Sequence, residues 1–272
     1  MTPVLLITIA IGLCAAMTFA WAVQRRTGNS GWVDTIWSAS VGLAALAALA
    51  FATTGEAGRQ WTAAVLVLLW AARLATHIGG RSAGAGEDPR YEALIKEWGD
   101  KASSRLFWFL QVQAAAAFIL VLSALAAATG EAAFPSIADG LAVVVALVAL
   151  AGEAISDKQL AQFRKENAGR KAICDVGLWR WSRHPNYFFE WLFWCAWPVM
   201  ALGSHAAIGL PLLLALLAPM QMYWLLVHVS GIPPLEAHML ASRGERFRIY
   251  QSKVNAFFPG PRRHATSEEI AQ

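Results

Sequence analysis

Charge is what this sequence has least of. Asp, Glu, Lys and Arg make up 15% of its 272 residues and 57% are hydrophobic, against roughly a quarter charged and under half apolar in an ordinary soluble domain. So few charges cannot cover the surface of a soluble fold of this length, and the same composition excludes a disordered chain or a coiled coil. Cysteine is sparse: Cys14, Cys174 and Cys195 lie far apart and form no CxxC pair, which excludes a disulfide framework and a cysteine metal site. The six histidines show no HExxH or HxxxH spacing, so no metal is expected. GxGxxG and the P-loop are absent as well. A nucleotide bound here has to be held by helix ends and loops.

What the sequence has is long apolar runs. Seven, at about 3–23, 32–52, 61–79, 106–129, 136–156, 185–203 and 206–228, approach the roughly 20 residues that cross ~30 Å of hydrocarbon. The fifth follows Pro135 and the sixth begins at Pro185, where a first helical turn accepts proline. The first run lacks a positive leader and is followed by Arg25 and Arg26, so it reads as a membrane helix and not a signal peptide. The expected fold is all-α: a multi-pass membrane protein with seven transmembrane helices, N-terminus outside and C-terminus cytosolic. Residues 1–260 form one domain with cytosolic loops at 80–105 and 157–184, an amphipathic helix follows Pro233-Pro234 and ends before Pro259, and 261–272 is a polar tail.

The net charge of +4 does not point to nucleic acid, because the cations fall in separate loops and not on one stripe. The 24–31, 80–105 and 157–184 loops and the tail from 230 hold 20 of the 22 Lys and Arg residues, with Arg59 outside and Arg73 within a span. That is the positive-inside pattern, and Trp21, Trp32, Trp61, Trp108 and Trp179 fall where an aromatic belt belongs. The expected surroundings are membrane lipid, and the expected state is a monomer.

Five ionisable residues sit inside spans: Asp34, Arg73, His77, Glu153 and Glu190. Each costs a few kcal/mol at the bilayer centre, and all five fall toward the cytosolic side. Taken singly, Asp34 could pair with Arg73, Arg73 could snorkel, and His77 could bond a carbonyl. Glu153 and Glu190 could reach an aqueous vestibule. Taken together, they mark a site. Glu153, Asp157 and Arg164 share one helix face, and Arg183, Asn186 or Tyr187, and Glu190 share another. Between them runs GLWRWSRHPNY at 177–187, whose arginines suit phosphate and whose indoles suit a flat heterocycle. Anchorage of that loop to lipid headgroups is the plainer alternative.

The stretches GWVDTIWS (31–38), WAARLATHIGGR with EDPRY (70–91), SDKQLAQFRK (156–165), GLWRWSRHPNYFFE (177–190) and VSGIPPLE (229–236) resemble the membrane-embedded steroid 5α-reductase family, in particular its bacterial branch. The resemblance covers about residues 30–260. It implies a seven-helix enzyme that uses NADPH to reduce the Δ4 double bond of a 3-oxo-steroid or a sterol-like enone, with the cofactor in a cytosolic-side cavity. By position, Asn186 and Glu190 meet the nicotinamide end, and Glu153, Asp157, Arg164 and Trp181 hold the rest. Arg90 meets a phosphate and Tyr250 closes the site. Arg73, Arg183, His184, Tyr187 and Glu236 join the cofactor-binding set. Asp34 falls at the family's catalytic glutamate. The family's catalytic tyrosine aligns near Trp70, which leaves His77 or Tyr91 to replace it. Trp37, Trp70 and Phe189 are expected at the substrate pocket, with Phe189 where relatives usually have glycine.

In the expected mechanism Asp34 stays protonated and hydrogen-bonds the enone carbonyl as hydride reaches the β-carbon. Two other readings are open. An isoprenylcysteine-type methyltransferase shares RHPxY and a later glutamate, here Glu236, and uses S-adenosylmethionine. A lipid-binding or transport protein needs no cofactor. Arg90, Arg164, Arg180 and Arg183 favour a phosphorylated cofactor.

Overall fold

The computed structural model describes residues 2–84, 88–205 and 208–263, and among these every regular element is helical. Six stretches are long and apolar enough to cross a membrane: Pro3–Thr27, Gly31–Ala50, Ala57–Ser82, Arg90–Ala128, Ile137–Glu166 and Leu210–Arg243. The chain is an integral multi-pass membrane protein. The first three stretches are helices α1, α2 and α3. The fourth combines α4 (Pro89–Trp98), one 3-10 turn (Gly99–Lys101) and α5 (Ala102–Ala128). The fifth is α6 (Ile137–Glu166).

The expected span at 185–203 is not one helix. It is α7 (Pro185–Trp194) and α8 (Ala196–Ser204), parted at Cys195. Pro198 explains the break, because a proline ring clashes with the carbonyl four residues earlier, here that of Trp194. The last apolar stretch begins as α9 (Leu210–Trp224), which carries Pro219 inside it, and continues as a π-helical turn (Leu225–Val229). α10 (Ile232–Arg243) and α11 (Glu245–Lys253) follow. The single amphipathic helix expected there is therefore two helices, divided at Gly244, whose φ of 55° is open to glycine and costly for other residues.

Both long loops are shorter than expected. α3 runs to Ser82 and α4 starts at Pro89, so most of 80–105 is helical; α6 runs on to Glu166, well into 157–184. Glu87 of EDPRY and residues 264–272 of the polar tail lie outside the described residues.

The chain divides into two compact units, Met1–Val143 with Cys195–Ala218, and Val144–Trp194 with Pro219–Gln272. In the first, α2 and α3 pack closely: Gly42 leaves just enough room for Ala71. Asn29 ties the α1–α2 turn to the end of α3, donating from Nδ2 to the Ser82 carbonyl at 3.0 Å and accepting from the Gly31 amide at 2.9 Å.

This unit also holds Arg59, which the sequence places in an outside loop. It is fully buried at the start of α3. Its Nε and Nη2 reach the two Asp139 oxygens at 2.8 and 2.9 Å. Nη1 donates to the Gly130 and Ala132 carbonyls at 3.0 Å each, and Nη2 to that of Ala133 at 3.1 Å. All five guanidinium hydrogens are thus used, and its face lies over the Phe134 ring. Asp139 in turn accepts from the amide and hydroxyl of Ser136.

In the second unit the segment before α7 is held from two sides. The Trp179 indole donates to the Ser156 carbonyl at 3.0 Å, and Gln159 accepts from the Leu178 amide at 2.9 Å, which fastens the turn to α6. From the other side the chain after α11 runs along it: Arg183 N–H donates to the Asn255 carbonyl at 2.8 Å and Gly260 N–H to that of Trp181 at 3.0 Å. Phe188, Trp191, Tyr223, Phe257 and Phe258 interlock edge to face beside this seam.

Candidate functional site

Two polar clusters, one in each unit, contain most of the residues singled out from the sequence. In the first unit Asp34 stands in the first turn of α2. The Tyr91 hydroxyl donates to its Oδ1 at 3.0 Å, and Arg90 Nη2 reaches its Oδ2 at 2.6 Å. Arg90 and Tyr91 are presented by the start of α4, which Asp88 caps by accepting from the Arg90 amide at 2.9 Å. The same carboxylate takes Arg90 Nε and Nη2 at 3.0 Å each. Burial alone would push the Asp88 carboxyl up, but the hydrogen bonds and charge of Arg90, with Arg81 behind them, outweigh it and hold the group below its ordinary value.

Behind Tyr91, on α5, Gln113 Nε2 donates to the phenolic oxygen at 3.1 Å, and the Gln113 carbonyl accepts from the Trp37 indole at 3.1 Å. Trp37 stands edge-on to the fully buried Trp70, with ring centroids 6.4 Å apart. Tyr91 is itself 4% exposed. The cluster is a phenol held by one acceptor and one donor in a nearly dry setting, where such hydrogen bonds are strongest.

Asp34 faces the Tyr91 hydroxyl with one oxygen and Arg90 with the other, and Arg90 also pairs with Asp88. His77 lies on the exposed face of α3. Between the two candidates for second donor, the geometry brings Tyr91 to Asp34. Arg73 is part-buried one turn before His77. Asp88 and Gln113 were missed in the sequence. An aspartate immediately before a proline is a readable cap signal, and a glutamine within an apolar run is a readable intramembrane polar group.

In the second unit the centre is Glu236 on α10. Its carboxylate accepts from Arg183 Nε at 2.7 Å and Nη2 at 3.2 Å and from Gln251 Nε2 at 2.6 Å, and lies 2.8 Å from His184 Nε2. Arg183 Nη1 also donates to the carbonyls of Gln251 and Val254, at 3.1 and 2.6 Å. Arg183 and Glu236, expected to bind cofactor, are therefore engaged with each other and with the tail. Tyr250 is engaged too: its hydroxyl donates to the Trp179 carbonyl at 2.6 Å, and it packs with Phe247 and Val254. Burial pushes the Tyr250 phenol well up.

His184 is 3% exposed, stacked on the Tyr187 ring at 5.5 Å, and its Nδ1 has no partner among the described residues. Burial, the largest influence, pushes its imidazole below the ordinary value against the pull of Glu236.

α6 and α7 meet here. Asn186 Nδ2 donates to Asp157 Oδ1 at 3.4 Å. The Phe189 ring lies on Gly152, where a Cβ would overlap the ring. Phe189 thus fills a notch that glycine leaves on α6. Glu153 and Glu190 are both buried, and Glu190 Oε1 accepts from the Trp194 indole at 2.9 Å. Arg164, Arg180 and Trp181 are exposed. Among the described residues, no three His, Cys, Asp or Glu side chains converge as metal ligands would.

An 87-residue stretch is 34% identical to an uncharacterized protein of Schizosaccharomyces pombe, C594.04c; it covers 31% of this chain and 23% of that protein. Over residues 20–254 the chain matches the model of a family described as a protein of unknown function, DUF1295, and it belongs to that family.

Proposed function

We propose that the protein is an NADPH-dependent reductase of 3-oxo-Δ4 steroids or sterol-like enones. In this reading the chain crosses the membrane seven times, with α7 and α8 together counted as one pass, and the chemistry takes place on the cytosolic side. The observation that carries the proposal is the buried Tyr91 phenol, held between Asp34 and Gln113.

The second cluster supports a dinucleotide. His184 offers a buried atom with no partner among the described residues, Trp181 an exposed indole, and Arg164 and Arg180 exposed cations suited to phosphate. Asn186, Asp157, Glu153 and Glu190 supply polar groups at the facing ends of α6 and α7. Arg164 and Arg180, both exposed, are the cations assigned to the phosphates.

When bound, NADPH would supply the hydride for the enone β-carbon, and a proton taken up from water at the α-carbon would complete the reduction. The protein's part is electrostatic. As negative charge grows on the carbonyl oxygen, Tyr91 turns its hydroxyl from Asp34 to that oxygen, and a preorganised donor in a dry site is worth several kcal/mol there. Gln113 keeps the phenol in place. The Arg90–Asp34 pair offsets the charge left behind and fixes the carboxylate as acceptor. Trp37 and Trp70 form the apolar wall beside it.

The test is NADPH oxidation by the purified protein in detergent, with and without progesterone, and with NADH and S-adenosylmethionine as controls. Steroid-dependent oxidation yielding a 5α-reduced product supports the reading. One observation favours a second reading. With Arg90 and Arg183 spent internally, half of the arginines that argue for a phosphorylated cofactor are removed. Binding of S-adenosylmethionine without NADPH would establish the methyltransferase instead.

A further inference from the structure

A buried polar atom without a partner needs an explanation, and among the described residues His184 Nδ1 is such an atom. Its ring is fixed on the other side. The carboxylate of Glu236 lies 2.8 Å from Nε2 and is held by Arg183 on two of its edges and by Gln251 on a third. A carboxylate so paired accepts only, so Nε2 carries the proton. In the neutral ring Nδ1 is then a lone pair. Stacking against Tyr187 prevents the ring from tipping, and the Ser182 hydroxyl accepts from the His184 backbone amide at 3.1 Å.

We propose that Glu236 is a positioning residue. It sets the His184 tautomer so that Nδ1 is presented as a hydrogen-bond acceptor for an N–H or O–H donor of the bound cofactor, such as a carboxamide or a ribose hydroxyl. The ligand half of this rests on the NADPH reading above; the tautomer half does not. Arg183 and Gln251 act one step further out by keeping the Glu236 carboxylate ionised and oriented. The resulting chain runs from the tail through Glu236 to His184, at the head of α7, which carries Asn186 and Glu190.

Two substitutions separate presentation of Nδ1 from attachment to Glu236. His184→Asn keeps an acceptor oxygen where Nδ1 stood and gives up the bond to Glu236. His184→Gln keeps a donor toward Glu236 and gives up the acceptor. The proposal expects His184→Gln to retain the melting temperature in detergent but to lose about tenfold in NADPH affinity, the worth of one hydrogen bond. It expects His184→Asn to bind NADPH more tightly than His184→Gln while melting lower. The reverse order in affinity would make the residue merely structural and overturn the proposal.

Nitrogen-15 spectra of histidine-labelled protein read the tautomer without cofactor, with the His184 signal identified by its loss in His184→Gln. An unprotonated Nδ1 that becomes mixed in Glu236→Gln supports the tautomer half, and a protonated Nδ1 in the native protein overturns it. If the native protein fails to bind NADPH, the functional reading and the ligand half fall together, and the spectra still decide the tautomer half.

Discussion

The Tyr91 hydroxyl donates to Asp34 Oδ1 at 3.0 Å while Arg90 holds the other oxygen of the same carboxylate at 2.6 Å. One aspartate thus orients a phenol and balances a guanidinium. The chemistry assigned to this site depends on the phenol, so Tyr91→Phe is expected to lower kcat by about 10²–10³-fold, the range for loss of a single preorganised donor. NADPH affinity should stay within a few-fold. Asp34→Asn should also lower kcat, since an amide balances Arg90 less well. Steady-state turnover beside equilibrium NADPH binding checks both variants, and a Tyr91→Phe enzyme with native turnover removes this cluster from the chemistry.

Arg59 makes a different kind of prediction. A guanidinium with every donor satisfied and no exposure holds the 130–135 segment and Asp139 together, and removing one member leaves a buried charge uncompensated. Such losses cost about 3–5 kcal/mol. Arg59→Ala and Asp139→Ala should each melt far below the native protein in detergent. Arg59→Lys should rescue little, because an ammonium cannot reproduce the planar five-donor fork. The double variant Arg59→Met with Asp139→Leu should lose less than the sum of the two alanine variants. Thermal unfolding of the four proteins is the measurement.

Hydropathy made the membrane class and most of the helices legible, because apolar length is a property of the chain alone. What it missed depends on single residues or on partners far away in sequence. Pro198 splits the sixth apolar run, and Gly244 splits the tail helix; both signals were present but weaker than the surrounding pattern. Arg59 read as an ordinary loop cation because its five acceptors lie more than 70 residues away. The residues of the candidate site were largely visible as charges out of place, yet their roles were not. Asp34 and Arg90 both stand out in the sequence, but only the fold brings them together as a pair. The same holds for Arg183 and Glu236.

Phe189 and Gly152 should behave as one unit. A Cβ at position 152 overlaps the Phe189 ring, and overpacking of this kind costs about 1–3 kcal/mol. Gly152→Ala is expected to lower the melting temperature, and Phe189→Ala in the same chain should recover most of that loss by vacating the notch. Additive losses in the double variant would show that the ring and the glycine are independent. Because α6 and α7 also carry Glu153, Asp157, Asn186 and Glu190, Gly152→Ala should weaken NADPH binding as well, and the double variant should restore it in step with stability.

His184 sets the expected pH dependence of stability. Burial holds its imidazole below the ordinary value of 6.5, with Glu236 pulling the other way. The unfolded chain therefore binds this proton at a pH where the native protein does not, and stability falls as pH drops below about 6.5. Above that value both states are neutral at this residue, and its contribution no longer varies. Asp88 has the same sign in a lower window: its carboxyl is held below the ordinary 3.8 by Arg90 despite burial, so its contribution is present above that value and lost as pH falls further. Unfolding of the native protein measured from pH 8 to pH 5 should show a decline beginning near 6.5. His184→Gln should flatten that limb. A limb unchanged in His184→Gln would assign the titration to another group and place His184 in contact with water.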